Sequence, residues 1–275
     1  MTHYLNFRES SVGGAVVSPY VIEGNGTISP TLLTPVPFEA IGALVGGKNL
    51  LFGVHGFNVS YQQGAASLGY LDAALGLTGS DVFLGVLWPG DSWVPYVNYP
   101  FEGEVSIACG RYLADFCNSW AASAQSVSFV SHSLGARLVL EAVQRLSRPA
   151  RSVCLTAGAI NCDCMSTEYA AAAGNSNAIS ILASHNDWVL ELAYPIADPI
   201  ALLLHDDHTP FELALGYNGP PTPAPPQILH PWQIPDPANY GHSDYLPPVS
   251  GLPGRWTRVA DFMANAYRRL PQPWP

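Results

Sequence analysis

Between Lys48 and Ala183 the chain alternates short apolar runs with longer segments of helical period, and few folds accept that rhythm. KNLLFGVHG (Lys48–Gly56) and DVFLGVLWPG (Asp81–Gly90) read as buried strands that end in turns, with a helix over Gln62–Ala74 between them. The same reasoning predicts a helix near Val105–Ala121, a strand at Val127–Ser131 and a helix at Leu134–Leu146. Two further strands are expected at Ser152–Ala157 and Ala178–Ala183. Strands that are apolar on both faces must be covered on both faces. The expected class is therefore α/β, a mostly parallel central sheet with helices on either side. Leu134, Leu138, Ala142 and Leu146 form one apolar stripe toward such a sheet. Trp256, Val259, Phe262, Met263, Ala266, Tyr267 and Leu270 form another near the C-terminus.

A chain of 275 residues suffices for one large core, so residues 1–275 are expected to form a single domain. The first 45 residues are less regular, with VVSPYVIEG as a candidate edge strand and TPVPFEAIGALVG as an approach to the sheet. A proline-dense stretch from Gly216 to Pro237 cannot be a central strand or a helix interior. It is expected to be an extended surface excursion, with too little chain beyond it for a second core. No clear last strand shows between Asp187 and His242, where ALLLH and QILH are the candidates.

The formal charge of −10 argues against nucleic acid and anionic membranes as partners. No uncharged apolar run approaches the roughly 20 residues of a membrane span. The N-terminus lacks the basic start and sustained apolar segment of a signal peptide, so a cytoplasmic location is expected. Cys109, Cys117, Cys154, Cys162 and Cys164 form no dense framework, which favours reduced thiols and leaves a disulfide open. Cys162 and Cys164 lack the second pair or nearby histidine that a zinc site needs, so no metal is expected.

Chemistry concentrates in VSFVSHSLGARLVLEAV (Val127–Val143), where a strand runs through Ser131-His132-Ser133-Leu134-Gly135 directly into a helix. That is the context of a nucleophile elbow, a sharp turn that exposes a serine hydroxyl at a helix N-terminus. Ser131 stands where glycine is usual, but it too is small. Leu134 could offer its N–H to a substrate oxyanion. The competing structural role for Ser133 is to cap the helix.

Upstream, FGVHGFNVSY sets His55-Gly56-Phe57-Asn58 just past a strand, where the turn commonly supplies a second oxyanion N–H. Phe57 is the first choice for that donor and Asn58 the second, while His55 is expected to brace the loop. A serine nucleophile needs a base, and the base needs an orienting acid. Asp187 follows the strand AISILAS and is the expected acid, with Asp163 as its rival. His242 in YGHSDYL is the expected base, with His205 and His208 behind it. Asp244 could hold that loop without taking part. Phe57, Asn58, Trp88, Trp93 and Tyr96 gather after strand ends and could line a substrate pocket, although WPGDSWVPY could equally be rigid loop packing.

HGFNVSY, SHSLGARLVLEA, NDWVL and GHSDYL together resemble the α/β-hydrolase superfamily. Within it they are similar to a bacterial group of poorly characterised serine hydrolases with HGFN or HGYN followed by a GHSMG-like or AHSMG-like elbow. The resemblance runs in outline from Leu50 to Leu246. It implies hydrolysis of carboxylic esters by a Ser133–His242–Asp187 triad through an acyl-enzyme, with no cofactor and a small-molecule ester as partner. The same scaffold also carries binding proteins, acyltransferases and peptidases, which stay open as alternatives.

Overall fold

The structure, a computed structural model, describes residues 1–91, 95–193, 213–229 and 233–272, with 95–102 and 192–193 described for their backbone alone. Nine strands form one sheet among the described residues. They are β1 (His3–Arg8), β2 (Val16–Gly24), β3 (Leu33–Val36), β4 (Asn49–Val54), β5 (Asp81–Leu87), β6 (Ser126–His132), β7 (Ser152–Thr156), β8 (Ile179–Leu182) and β9 (Ile228–Leu229). Their spatial order is β3-β2-β1-β5-β4-β6-β7-β8-β9. The two pairings at the N-terminal edge are antiparallel, and every other pairing is parallel.

Burial explains the central strands. Residues 50–54 of β4 and 127–131 of β6 are buried without a break, because helices cover both faces. Helices α2 (Tyr61–Ala74) and α7 (Arg255–Arg268) touch each other and β5, β6 and β7. Helices α3 (Pro95–Ser119) and α4 (Gly135–Val143) pack together on the other side. The remaining α-helices among the described residues are α1 (Phe38–Val45), α5 (Ala170–Gly174) and α6 (Leu215–Asn218). Ser60 starts α2 with a reciprocal cap, its hydroxyl accepting from the Gln63 N–H while the Gln63 side chain accepts from the Ser60 N–H.

The expected α/β class is what the chain adopts, with several differences in detail. β1 is a strand that the sequence pattern does not mark; it fits between β2 and β5 because all but one of its six residues are buried. VVSPYVIEG becomes β2 but is not the edge, since Leu33–Val36 pairs outside it. Helix α3 begins ten residues before the expected Val105. The proline-dense stretch returns to the sheet as the two-residue β9 within QILH, whereas ALLLH lies outside the described residues. A short outer strand escapes the periodicity argument because two residues carry no period.

In a parallel sheet every strand ends at the same edge. The turns after β4, β5, β6, β7 and β8 therefore meet there; Phe57, Asn58, Trp88, Ser133, Leu134 and Asp187 lie on those turns, while His242 comes from the loop after β9.

Candidate active site

At the end of β6 the chain reverses sharply. Ser133 has φ +56°, an uncommon conformation for a residue with a Cβ, while its N–H donates to the Thr156 carbonyl at 3.0 Å. Its own carbonyl accepts the N–H groups of Ala136 (3.0 Å) and Ala159 (3.2 Å). These bonds to the end of β7 and the start of α4 hold the strained turn in place. Ser131 sits in ordinary extended strand between Val54 and Leu155, so the position asks for a small residue and not for positive φ. Its hydroxyl is buried with no hydrogen-bond partner among the described residues. Leu134 stands at the N-cap of α4, where the first N–H groups have no carbonyl in their own helix.

Two glycines let the elbow and the turn after β4 interlock. A Cβ on Gly135 would lie 2.6 Å from the His55 carbonyl oxygen, and one on Gly56 would lie 2.8 Å from the Ser133 Cβ. Each glycine faces the other turn, so only hydrogen at both positions allows this approach.

The turn after β4 is braced from the interior. His55 is fully buried; its Nδ1 donates to the Gly56 carbonyl at 2.8 Å and its Nε2 accepts the Trp88 N–H at 3.3 Å. Burial pulls its pKa down to about 4, so the ring is neutral at pH 7. The Trp88 indole stacks on His55 and donates to the His55 carbonyl at 2.9 Å. Trp88 is entirely enclosed, and its side chain therefore packs beneath the turn instead of lining a pocket. Phe57 is half-buried against the core, and Asn58 is exposed with φ +57°. The Asn58 N–H goes to the Gly90 carbonyl at 2.5 Å, which occupies the second-choice oxyanion donor. Trp93 lies outside the described residues, as does the side chain of Tyr96.

Sequence reasoning missed Arg8 and Asp91. Arg8, at the end of β1, is completely buried and bonds both carboxylate oxygens of buried Asp91 at 2.8 Å. Its guanidinium also donates to the carbonyls of Val59 (3.1 Å) and Trp88 (3.3 Å), joining the turns after β4 and β5. An arginine ending an otherwise buried segment, in a chain with only 12% charged residues, was the available signal.

On the other side, Asp187 follows β8 and is fully buried. Its Oδ1 accepts the Leu190 N–H at 3.2 Å, and its Oδ2 accepts from His242 Nδ1 at 2.8 Å. His242 Nε2 lies 2.9 Å from Ser133 Oγ. The structure thus brings Ser133, His242 and Asp187 into one hydrogen-bonded row. Asp163 is not part of it, since its carboxylate faces the Thr167 hydroxyl at 3.5 Å. Asp244 accepts the Gly241 N–H at 2.9 Å and pairs with Arg255 at 3.2 Å, which holds the His242 loop from outside the row. His205 and His208 lie outside the described residues.

Among the described residues, no cluster of three or more His, Cys, Asp or Glu could hold a metal, and no helix is long and apolar enough to cross a membrane. No disulfide joins the five cysteines, all of which lie among the described residues.

Among curated proteins none matches the chain. Esterase PE8 is 16% identical over 82% of this chain and 94% of its own, with a TM-score of 0.46. The ydeN gene product from B. subtilis is 14% identical over 56% of this chain and 81% of its own, with a TM-score of 0.36. Trichoderma reesei cutinase in complex with a C11Y4 phosphonate inhibitor is 13% identical over 84% of this chain and 86% of its own, with a TM-score of 0.35. The family model "Alpha/beta hydrolase of unknown function (DUF900)" matches residues 44–203, more than half of the chain. That span holds the turn after β4, the elbow and Asp187, and the chain belongs to this family of α/β hydrolases.

Proposed function

We propose that the protein is a serine hydrolase that cleaves carboxylic esters through an acyl-enzyme, with Ser133 as nucleophile, His242 as base and Asp187 as orienting acid, all in one domain. The observation that carries this reading is the continuous row from Asp187 Oδ2 to His242 Nδ1 (2.8 Å) and from His242 Nε2 to Ser133 Oγ (2.9 Å). With its Nδ1 proton donated to the carboxylate, the imidazole presents a lone pair at Nε2 to the serine hydroxyl, which is the tautomer a general base requires.

In the proposed reaction His242 takes the Ser133 proton as Oγ attacks the ester carbonyl. Buried Asp187 stabilises the imidazolium that forms. The Leu134 and Phe57 N–H groups receive the tetrahedral oxyanion at the start of α4, where the helix field favours negative charge. His242 then protonates the departing alkoxide, and collapse leaves Ser133 acylated. A water deprotonated by His242 attacks the acyl carbonyl, and the second collapse returns the proton to Ser133 and releases the acid. Small or medium acyl esters or aromatic esters are the proposed substrates, with Phe57 and Asn58 beside the reacting carbon. A small-molecule ester is the only partner this chemistry needs, and it uses no cofactor.

The test is hydrolysis of p-nitrophenyl acetate and butyrate by the wild-type and Ser133→Ala proteins, with folding followed by circular dichroism. The expected result is a loss of about 10⁴-fold or more in kcat with the fold retained. Turnover unchanged in Ser133→Ala would refute the nucleophile. A folded wild type that neither hydrolyses ester nor reacts with a fluorophosphonate would refute the catalytic reading and favour a binding role for the scaffold.

A further inference from the structure

We propose that His132, the residue before the nucleophile, is a positioning residue that sets His242 against Ser133 and separates it from the turn after β4. The inference rests on the reading of His242 as the base.

His132 is the last residue of β6, so the sheet fixes its backbone. Its Nε2 lies 2.9 Å from the main-chain oxygen of His242. A carbonyl only accepts, so the ring carries its proton on Nε2 and donates it to the backbone of the base itself. The two imidazoles also touch, with centroids 4.8 Å apart and planes tilted by 44°. The His132 ring also stacks on Tyr245, three residues beyond His242, with centroids 5.8 Å apart. Its Nδ1 edge faces Gly56, where an added Cβ would lie 2.9 Å away. One ring therefore touches the loop that carries the base and the turn that carries Phe57, and it belongs to the strand that carries the nucleophile.

The charge state of the ring fits this role. Burial, and next the neighbouring His242, hold the His132 pKa well below the usual histidine value. A neutral ring can stand against His242 while that imidazole becomes cationic, whereas a second imidazolium at this separation would oppose the charge. Without the Nε2–H bond the His242 backbone loses its link to β6, which leaves, among the described residues, the side-chain bond to Asp187 and the bonds of Gly241 and Asp244 to hold the turn. Displacement of a base by a fraction of an ångström lowers the chance of proton transfer without altering how substrate binds.

Two variants separate the donor from the ring. His132→Gln places an amide N–H near the position of Nε2 and removes the aromatic ring. His132→Phe keeps the ring and removes the donor. The expected result is a kcat loss of about tenfold to a hundredfold for His132→Phe with KM within about twofold, and a kcat within about threefold of wild type for His132→Gln. The imidazole ¹⁵N–¹H spectrum supplies a readout independent of turnover. The Nδ1–H resonance of His242, bonded to Asp187, should shift or broaden in His132→Phe and return in His132→Gln.

Wild-type kcat and an unmoved His242 resonance in His132→Phe would overturn the proposal, as would equal kcat losses in both variants. Should either variant fail to fold, the wild-type spectrum decides. His132 must appear as the Nε2–H tautomer with that proton protected from exchange, and an Nδ1–H tautomer refutes the bond. Absence of ester turnover or phosphonate labelling in wild type would strike the hydrolase reading, while the spectrum would still report whether His132 holds His242.

Discussion

Two sides of Ser133 are held by different means. On the side of the turn after β4, the groups that fix the loop are interior ones. Arg8 and Asp91 have side chains only 0% and 5% exposed, and His55 and Trp88 are fully enclosed. On the side of Asp187 and His242, the links between loops run nearer the surface. His185 and Asp236 pair at 3.2 Å with side chains 44% and 66% exposed, and Arg255 meets Asp244 with exposures of 45% and 34%. The Asn186 amide donates to the Asp236 carbonyl at 2.9 Å, also at the surface, and deeper in the Ser184 hydroxyl donates to the Tyr240 carbonyl at 2.7 Å. A buried ion pair with every donor engaged is costly to break, whereas exposed pairs contribute little. The comparison therefore assigns stability to the turn after β4 and leaves the base side open to change at small cost in folding.

The largest expected effect tests the base side. Asp187→Asn should lower kcat about 10⁴-fold, because an amide favours the wrong tautomer of His242, yet it should leave the melting temperature within a few degrees. Thermal unfolding and ester hydrolysis on the same sample check this. A variant that melts as far as it loses activity would break the separation between the two sides.

Next comes Arg8→Met, which strands the Asp91 carboxylate in the interior. The expected cost is about 3 kcal/mol or more, a fall of about 10 °C in melting temperature. An unchanged melting temperature would show that the interior pair is not what holds the two turns together.

Acid should act on the same side. Burial is the chief cause that holds His55 near pKa 4, against 6.5 for an ordinary histidine. Between those values the unfolded chain binds a proton that the folded chain refuses, so stability rises with pH across the window and is lost as pH falls from about 6.5 to 4. The loss from this ring is about 3 kcal/mol. His132, also held low, adds in the same direction. Urea unfolding of wild type and His55→Asn at pH 4 to 7 should show a shallower pH dependence in the variant, and parallel curves would contradict the assignment.

The smallest effect belongs to the exposed latch. Asp236→Ala removes the His185 pair but keeps the Asp236 carbonyl that Asn186 uses, and should cost under about 1 kcal/mol. Denaturant unfolding checks it; a loss of several kcal/mol would mean that the base side is no more tolerant than the other.

Legibility in the sequence follows the same division between local and distant causes. β4, β5, β6, β7 and β8 were readable because a strand covered on both faces must be apolar throughout, which the chain displays residue by residue. The elbow was readable because Ser133 lies between a strand and a helix in consecutive sequence. The contexts of His242 and Asp187 could be argued from strand ends and turn residues, but the rivals Asp163 and His208 could not be removed that way. For Trp88 the sequence leaves pocket lining and loop packing both open, because an aromatic after a strand end reads the same whether it faces solvent or the interior, and the structure encloses it. β1 goes unassigned for want of a clear alternation, and β9, within the candidate QILH, is too short for its sequence to be preferred over ALLLH.

By itself, then, the sequence determined the class of the sheet, the strand-turn-helix at Val127–Val143 and the short list of groups able to act there. Those properties depend on periodicity and turn chemistry within a few residues. Tertiary structure alone decided which groups meet. His242 reaches Asp187 across 55 positions and Ser133 across 109, and Arg8 reaches Asp91 across 83. Contacts of that separation are set by how strands order themselves and which faces bury, and these are outcomes of packing the whole core that no local pattern encodes.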